Sequence, residues 1–513
     1  MTYIVKQKIR GKIYVYEAEG YWDPQKKQAR QRRRYLGVWD EESGTIKPRE
    51  AERTVRITKE YGAGYLLKWI SEELKLGRKL EQSFGDDGKA ILALAIAKVL
   101  RPVALKNISH IMEDSMVSEL CRADTDFSSQ WISDLLTRIS KDELGNRKFC
   151  SSLIEKDEDA LIYDITSLSS VSKNINWLEY GDDYRKLDTP QVNLGIVYSI
   201  DRKIPIYHKV FPGSINDVST LKNLLSEVKI LGIKKGIYIL DRGFFSESNI
   251  IEMLNEGIDF IIPLPFSTKI GMDYISDTNL NIESPENARR FNKKIYYVIK
   301  KDVNIGGKKL NAYVLFNTER KADEVNSFYN RLIDIENILE GKMFYGDPIR
   351  QFEKIAGTFK NYFDCSVENR RVHLKRRPEA IAQAVNRMGK MILLSSLDMP
   401  WDEVLSLYRE RDAIEKLYNE LKNDLDIIPL RVRNNETLKG LTLVYFVAMI
   451  IRSILLQKAR KAKLLEKDSI ESLLMEMGKL RAVQIGNTWK LTEISKRQRI
   501  IMEKLGIPVP VSP

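Results

Sequence analysis

Cysteine and histidine are scarce in this chain of 513 residues, which holds three of each. Cys121, Cys150 and Cys365 lie far apart and show no CxxC spacing, so neither a disulfide framework nor a zinc knuckle is expected. The histidines do not pair at metal-ligand spacing, which argues against a His-based metal site and against a Ser-His-Asp triad. We therefore expect chemistry based on carboxylates, in a protein that works in a reducing cytoplasm.

Long apolar runs are also missing. The longest begin at Ala90 and Leu441 and are too short to span a bilayer, and the first residues lack the apolar segment of a signal peptide. We expect both runs to be buried core helices, and no membrane role. With 43% hydrophobic and 30% charged residues, the chain should fold into three or four globular units.

Positive charge is in excess. Lys and Arg number 83 against 71 acids, and the net charge of +12 favours a polyanionic partner such as nucleic acid. Ten of these cations fall within residues 1–39, in a segment whose alternating pattern predicts a small β module over residues 1–55. Contact with phosphates explains this cluster of charge, and a solvated charged hairpin explains it equally well.

The rest of the chain divides by its periodicity. Residues 56–155 are predicted to be a helical domain, and nothing there distinguishes a DNA-reading helix from an ordinary bundle. Residues 156–266 show three strands in succession and then strands alternating with helices, the order of a ribonuclease H-like α/β fold. An inserted mixed α/β domain is expected over 267–398, because structureless loops of that length are rare. A core helix (399–435) and a helical C-terminal region (436–513) follow.

Two aspartates stand at the ends of predicted strands. Asp164 follows the apolar run that starts at Ala160, and Asp241 follows the run that starts at Ile237. Strand ends in open α/β sheets are where sites form. For either residue alone, an ordinary turn is the stronger interpretation.

A third acid lies on a predicted helix from Trp401 to Leu425. Tyr408, Arg411, Glu415 and Lys422 are spaced by three, four and seven residues, which places them within an arc of about 60° on one regular helix. An exposed face of salt bridges has the same pattern. Three carboxylates together suit phosphodiester cleavage, because two hard divalent cations about 4 Å apart can activate a nucleophile and stabilise the leaving oxygen.

These residues resemble a known family. The spacing Tyr-x2-Arg-x3-Glu-x6-Lys is similar to the signature of bacterial insertion-sequence transposases of the superfamily named after insertion sequence four. The motif from Leu240 to Phe244 resembles the family's second-aspartate motif, and Ile162 to Thr166 resembles the first. The run from Gln191 to Leu221 is also similar.

The resemblance implies a ribonuclease H-like DDE transposase. Asp164, Asp241 and Glu415 would bind two Mg²⁺ or Mn²⁺ ions, and the DNA contacts would come from Tyr408, Arg411, Lys422 and Arg242. It also implies cut-and-paste transposition by a homodimer that holds transposon-end DNA and target DNA in the bacterial nucleoid. Some relatives stabilise a DNA hairpin with a Trp of the insertion, whereas Trp401 is the one Trp between Asp241 and Glu415 here.

Two alternatives stay open at this stage. One is a catalytically inactive, transposase-derived DNA-binding protein. The other is a nuclease of the same fold that cuts without strand transfer.

Overall fold

The structure, a computed structural model, describes the chain except residues 1, 10, 25, 42–43, 48–54, 155–159, 171, 173, 181–188, 216, 232–235, 279–280 and 487. The N-terminal segment forms an antiparallel sheet in the order β1-β2-β3-β4, as the alternating pattern predicts. Its strands and the next one are β1 Thr2–Ile9, β2 Lys12–Asp23, β3 Gln28–Asp40, β4 Thr45–Lys47 and β5 Val55–Glu60. Arg10, part of the predicted basic cluster, lies outside the described residues.

A helical region follows. Its helices are α1 Gly62–Glu72, α2 Leu76–Phe84, α3 Asp87–Leu100, α4 Ile108–Asp114, α5 Val117–Cys121, α6 Ser129–Lys141 and α7 Glu143–Leu153. The apolar run from Ala90 becomes α3, whose side chains are almost all buried. The expectation of a core helix for this run is therefore confirmed.

The central segment forms a mixed α/β unit. Its elements are β6 Ala160–Ser169, β7 Gln191–Ser199, β8 Ile204–Pro212, α8 Asp217–Leu231, β9 Ile237–Leu240, α9 Glu247–Asn255 and β10 Asp259–Pro263. β7 pairs antiparallel with both β6 and β8, whereas β9 pairs parallel with β6 and with β10. The connection from β6 to β9 includes α8, and the connection from β9 to β10 includes α9, because parallel strands need a long crossover that is usually helical.

The next interval does not form one inserted unit, so this part of the predicted division needs correction. Its elements are α10 Lys269–Thr278, β11 Ala288–Phe291, β12 Lys294–Ile305, β13 Lys308–Phe316, α11 Thr318–Leu339, α12 Pro348–Ala356, β14 Phe363–Glu368, β15 Arg371–Arg376, α13 Pro378–Arg387 and β16 Lys390–Ser395. β16 pairs with β10 and β13, so β11, β12, β13 and β16 extend the core sheet in the order β11-β12-β13-β16-β10-β9-β6-β7-β8, whereas β14 and β15 form a separate two-stranded sheet. The insertion thereby covers an edge of the core sheet that would otherwise be open. Only the part from α11 to α13 has a hydrophobic cluster of its own, which includes Leu332, Ile335 and Phe363.

The C-terminal part is not helical throughout. It contains α14 Trp401–Arg409, α15 Asp412–Asn419, a π-helical turn Glu420–Asp424, α16 Asn435–Lys461, α17 Ile470–Gly478, β17 Arg481–Ile485, β18 Thr488–Leu491 and α18 Lys496–Leu505. The β17–β18 hairpin corrects the prediction of helix over 436–513. β17 pairs with β5, near the start of the chain, and this distant partner explains why local pattern did not reveal the strand.

Helix α16 is the centre of the main hydrophobic core. By length and composition it is able to cross a bilayer, but most of its apolar segment is buried inside the protein. It packs against β8, α3 and α6, and Phe446 stacks on His208 with 4.5 Å between ring centres. This is the buried core helix expected from the run at Leu441.

Candidate active site

Asp164 and Asp241 lie side by side across two parallel strands. The parallel pairing of β6 with β9 ends with Tyr163 opposite Leu240, so the next residue on each chain is an aspartate. Both aspartates are half-buried. The sheet therefore brings together the first two carboxylates expected from the sequence.

The strand that carries Asp164 is longer than predicted. β6 continues to Ser169, because its pairing with β7 runs on to Gln191, well beyond the last residue of β9. Asp164 lies in the middle of a strand, and only Asp241 follows a strand end. The prediction that both acids close a strand is thus wrong for Asp164.

The helix predicted from Trp401 to Leu425 is broken in two places. α14 ends at Arg409 and α15 begins at Asp412. Between the two helices the Arg411 N–H donates a hydrogen bond to the Tyr408 carbonyl, three residues earlier, at 3.2 Å. After Asn419 the chain enters the π-helical turn that carries Lys422. The four signature residues therefore do not share one regular helical face, and the predicted arc of about 60° does not apply.

Arg411 joins two of the three candidate acids. Its Nη1 lies 2.9 Å from Oδ1 of Asp241, and its Nη2 lies 2.5 Å from Oε1 of Glu415. The guanidinium side chain is 20% exposed, against 39% for Asp241 and 50% for Glu415. Glu415 thus reaches the sheet acids through a shared cation rather than through direct contact.

Asp164 is the most perturbed carboxyl at the site. Burial raises its pKa to about 7, and the charges of Asp241 and Asp217 add to this rise, whereas the Ile165 backbone N–H and the Arg411 guanidinium oppose it. A carboxyl in such a place is destabilised as an anion unless a cation lies close by. Burial is thus the main reason why the anion of Asp164 is disfavoured, and Arg411 offsets it only in part.

Helix α15 is fixed to the sheet at the same point. The Tyr418 hydroxyl donates a hydrogen bond to the backbone carbonyl of Asp164 at 2.6 Å, and Ile414 and Leu417 are buried beneath the helix. Because Glu415 lies on the same short helix, this anchor also sets the position of its backbone. The sequence showed the apolar flank of the helix but not the tyrosine hydrogen bond.

A fourth carboxylate, Asp217, was not assigned a role from the sequence. It begins α8 and is half-buried, and burial followed by the charge of Asp241 raises its pKa. A Cβ at Gly243 would lie only 2.4 Å from Oδ2 of Asp217, so glycine is needed where the turn after Asp241 passes this carboxylate. The glycine of the Asp-Arg-Gly motif was the available signal that another group approaches there.

The remaining candidates surround the acids at different depths. Tyr408 is half-buried next to Arg411, with 6.0 Å between the guanidinium carbon and the ring centre, and burial raises its pKa. Arg242 is exposed on the turn after Asp241, and Lys422 is half-buried on the π-helical turn. A cavity of about 160 Å³ borders Tyr408 and Arg411 and is also lined by Arg320 and Arg409.

The π-helical turn is itself fixed by a buried arginine. Arg452 of α16 is 7% exposed and ion-pairs with Glu420 at 3.3 Å, with Asp424 and with Glu471 at 2.8 Å. Two of these acids are the first and last residues of the turn. Arg452 therefore ties the segment that carries Lys422 to the central core helix.

A model of the family described as "Transposase DDE domain" matches residues 155–451, which is more than half of the chain. The chain belongs to this DDE transposase family. Membership implies an enzyme that cuts DNA and transfers strands, and transposases bind transposon DNA.

Two further comparisons add little. A piggyBac transposase, in a cryo-EM synaptic complex with hairpin DNA, matches with 11% identity over 81% of this chain and 76% of that one, at a TM-score of 0.38. No curated protein matches the sequence. The family model alone therefore carries the assignment.

DDE transposases typically use divalent metal ions. Within the described part of the chain, no three His, Cys, Asp or Glu side chains stand close enough together to hold an ion jointly. The donors nevertheless fit a hard cation, because carboxylate oxygens are the ligands that Mg²⁺ prefers. The guanidinium of Arg411 already stands between Asp241 and Glu415 as a cation would.

Proposed function

We propose that this transposase cleaves the ends of an insertion sequence and joins the freed 3′ ends to target DNA, with Asp164, Asp241 and Glu415 as its metal-binding acids. The observation that carries the proposal is the position of Asp164 beside Asp241 on parallel strands, with Glu415 linked to Asp241 through Arg411. The proposal includes two Mg²⁺ or Mn²⁺ ions and a homodimer that pairs the two ends.

The order of the core elements supports a ribonuclease H-like arrangement. The antiparallel strands β8, β7 and β6 lie next to β9 and β10, which run parallel to β6, and α15 packs on β6. Together with the motifs, this order supports membership of the bacterial superfamily named after insertion sequence four. The proposal also includes a cytoplasmic location, where the cysteines stay reduced. We also propose that the segments before this core, residues 1–55 with their cluster of cations and the helical residues 56–155, contact DNA.

The side chains around the acids fit the chemistry of phosphodiester cleavage. Divalent cations held by the carboxylates would activate the attacking water or 3′-hydroxyl and offset the charge of the leaving oxygen. Once released from its acids, Arg411 is placed to hold a phosphate oxygen, because a guanidinium binds carboxylate and phosphate with the same geometry. Arg242 and Lys422 add positive charge on the flanking turns. Tyr408 borders the cavity next to Arg411 and would contact the end of the DNA.

The direct test uses a labelled duplex that carries the terminal repeat of the element, incubated with Mg²⁺ or Mn²⁺. We expect the wild type to release 3′ ends and join them to a second duplex. Glu415→Gln should bind the same duplex but neither cut nor join. The exposed Glu403 on α14 provides a matched control, because Glu403→Gln removes the same charge outside the acid cluster and should retain activity.

Each other outcome selects a different function. Binding of the ends without cutting or joining under any divalent ion would identify an inactive DNA-binding protein. Cutting without joining would identify a nuclease. Full activity of Glu415→Gln would show that the metal site lies on another helix.

A further inference from the structure

The hairpin formed by β2 and β3 extends beyond β1 as a two-stranded ribbon over Gly20–Asp23 and Gln28–Gln31, whereas β1 pairs with β2 over Lys12–Glu19. All residues of 19–22 and 28–34 are exposed, so both faces of the ribbon are open to solvent. Tyr21 is 47% exposed and Trp22 is 63% exposed. The sheet is also set apart from the core, because none of the hydrophobic clusters of described residues includes a side chain from β1 to β4.

The ribbon concentrates positive charge. Residues 19–34 hold six cations and two acids and so have a net charge of +4. These sixteen residues therefore account for a third of the chain's net charge of +12. The cations are Lys26 and Lys27 near the tip and Arg30, Arg32, Arg33 and Arg34 along β3. The six cations exceed the two acids by four, and this local excess of positive charge attracts an anionic ligand.

The strand register distributes these cations over both faces. Arg30 lies opposite Tyr21 and Arg32 lies opposite Glu19 on one face, whereas Arg33 lies opposite Ala18 on the other. Arg30 pairs with Asp23 at 3.5 Å and Arg34 pairs with Glu17 at 2.8 Å, but these arginine side chains remain 41% and 75% exposed. Such surface pairs contribute little free energy, and phosphates compete with them readily.

The dimensions of the ribbon match one particular ligand. Its two strands lie about 4.8 Å apart, and its β3 part, from Gln28 to Gln31, extends about 10 Å at the usual rise per residue, with Arg32 and Arg33 following at its base. The major groove of B-form DNA is about 12 Å wide and admits a two-stranded β-ribbon. A ribbon in that groove has a phosphate backbone along each of its edges, and this hairpin places Arg30 in the two-stranded part and Arg32 and Arg33 directly behind it.

We propose that the β2–β3 ribbon inserts into the major groove of duplex DNA, with Arg30, Arg32 and Arg33 against the phosphates. The inference rests on the proposed function for the identity of the nucleic acid. It adds a DNA-binding element that is separate from the carboxylate site.

The test measures binding of the full chain to duplex DNA by fluorescence anisotropy at several salt concentrations. The triple variant Arg30→Gln, Arg32→Gln, Arg33→Gln should bind at least about tenfold more weakly near 0.1 M salt. The slope of log K against log salt should become less steep by about 0.9 for each phosphate that the ribbon no longer neutralises. The matched control Lys496→Gln, Arg499→Gln, Lys504→Gln removes three exposed cations from α18 and should bind like the wild type.

Groove choice has its own readout. Methylation of guanine N7, an atom in the major groove, should weaken binding of the wild type at a discrete set of guanines. The triple variant should no longer respond to this methylation. Competition by double-stranded RNA should be weak, because side chains cannot enter its deep and narrow major groove.

The outcomes separate this inference from the proposed function. If the wild type cuts and joins DNA while the triple variant binds like the control, the inference is wrong and the transposase function stands. If duplex RNA competes as well as DNA, or N7 methylation has no effect, the ribbon does not enter the major groove. If the wild type binds no DNA at all, both proposals fail.

Discussion

Two arginines in this protein each join several acids, and they differ mainly in how deeply they are buried. Arg411 links Asp241, which follows the internal strand β9, to Glu415, and its side chain is 20% exposed. Arg452 links Glu420, Asp424 and Glu471 and is 7% exposed on the core helix. The more deeply buried Arg452 fixes a turn, whereas Arg411, whose side chain is 20% exposed, is the one that we propose to exchange its acids for a phosphate.

The comparison predicts the largest loss of activity at the Arg411 cluster. Asp241→Asn removes a carboxylate that we propose to bind metal, and it should lower the rate of end cleavage about a thousandfold, the equivalent of about 4 kcal/mol in the barrier. Its free energy of unfolding should stay within about 1 kcal/mol of the wild-type value, because Asp241 is half-exposed. Cleavage rates and urea denaturation measure the two effects. A large loss of stability instead would mean that Asp241 is structural.

The largest loss of stability is expected at the other cluster. Arg452→Met leaves Glu420 largely buried without its cation, and breaking a buried ion pair from one side costs about 3 to 5 kcal/mol. Urea denaturation of the wild type and the variant gives the difference. Arg452→Lys keeps the charge and should recover part of it. A loss below about 1 kcal/mol would contradict the structural role of Arg452.

Acid pH provides a further comparison on the same core helix. Burial lowers the pKa of His208, which stacks on Phe446 of α16, to about 4. The unfolded chain therefore takes up a proton below about pH 6.5 that the folded protein accepts only near pH 4. The contribution of His208 is fully present above pH 6.5, and about 3 kcal/mol of stability is lost as the pH falls to 4.

The acids paired with Arg452 also take up protons at low pH. The variant His208→Leu separates the contribution of the histidine from theirs, because it removes the histidine alone. The difference in unfolding free energy between the variant and the wild type should shift in favour of the variant by about 3 kcal/mol between pH 6.5 and pH 4. Chemical denaturation at each pH measures the shift. Parallel profiles for the two proteins would show that His208 does not titrate as its burial requires.

A small change in stability is also expected for Arg411→Met. Asp241 and Glu415 remain half-exposed, so loss of their shared cation should lower the unfolding free energy by only about 1 kcal/mol in the presence of a chelator. Mn²⁺ should then stabilise the variant more than the wild type, because Asp241 and Glu415 would be free of the guanidinium and could hold the ion. Thermal unfolding with and without Mn²⁺ tests this. Equal stabilisation of both proteins would place the ion elsewhere.

The sequence was informative where structure is local. Helix α8 has the predicted bounds Asp217–Leu231, and the apolar runs at Ala160 and Ile237 became adjacent strands. The pattern of residues 156–266 therefore yielded the mixed α/β unit and the positions of Asp164 and Asp241.

The sequence-based predictions of secondary structure were wrong where contacts with residues distant in the chain determine the structure. The π-helical turn of Lys422 depends on Arg452, which comes 28 residues after Asp424, and the strand β17 depends on β5 at the other end of the chain. The break between α14 and α15 leaves no clear mark in the periodicity of the sequence. Asp217 was recognisable as a neighbour of the site only after Gly243 was seen to pack against it.

The central claim is that Asp164, Asp241 and Glu415 bind metal at one site, and directed backbone cleavage tests it most directly. Fe²⁺ with ascorbate generates hydroxyl radicals that cut the chain near a bound ion, and mass spectrometry locates the cuts. We predict cuts near all three residues, suppressed by excess Mg²⁺ and absent in Asp241→Asn. Cuts elsewhere, or an unchanged pattern in Asp241→Asn, would contradict a shared metal site.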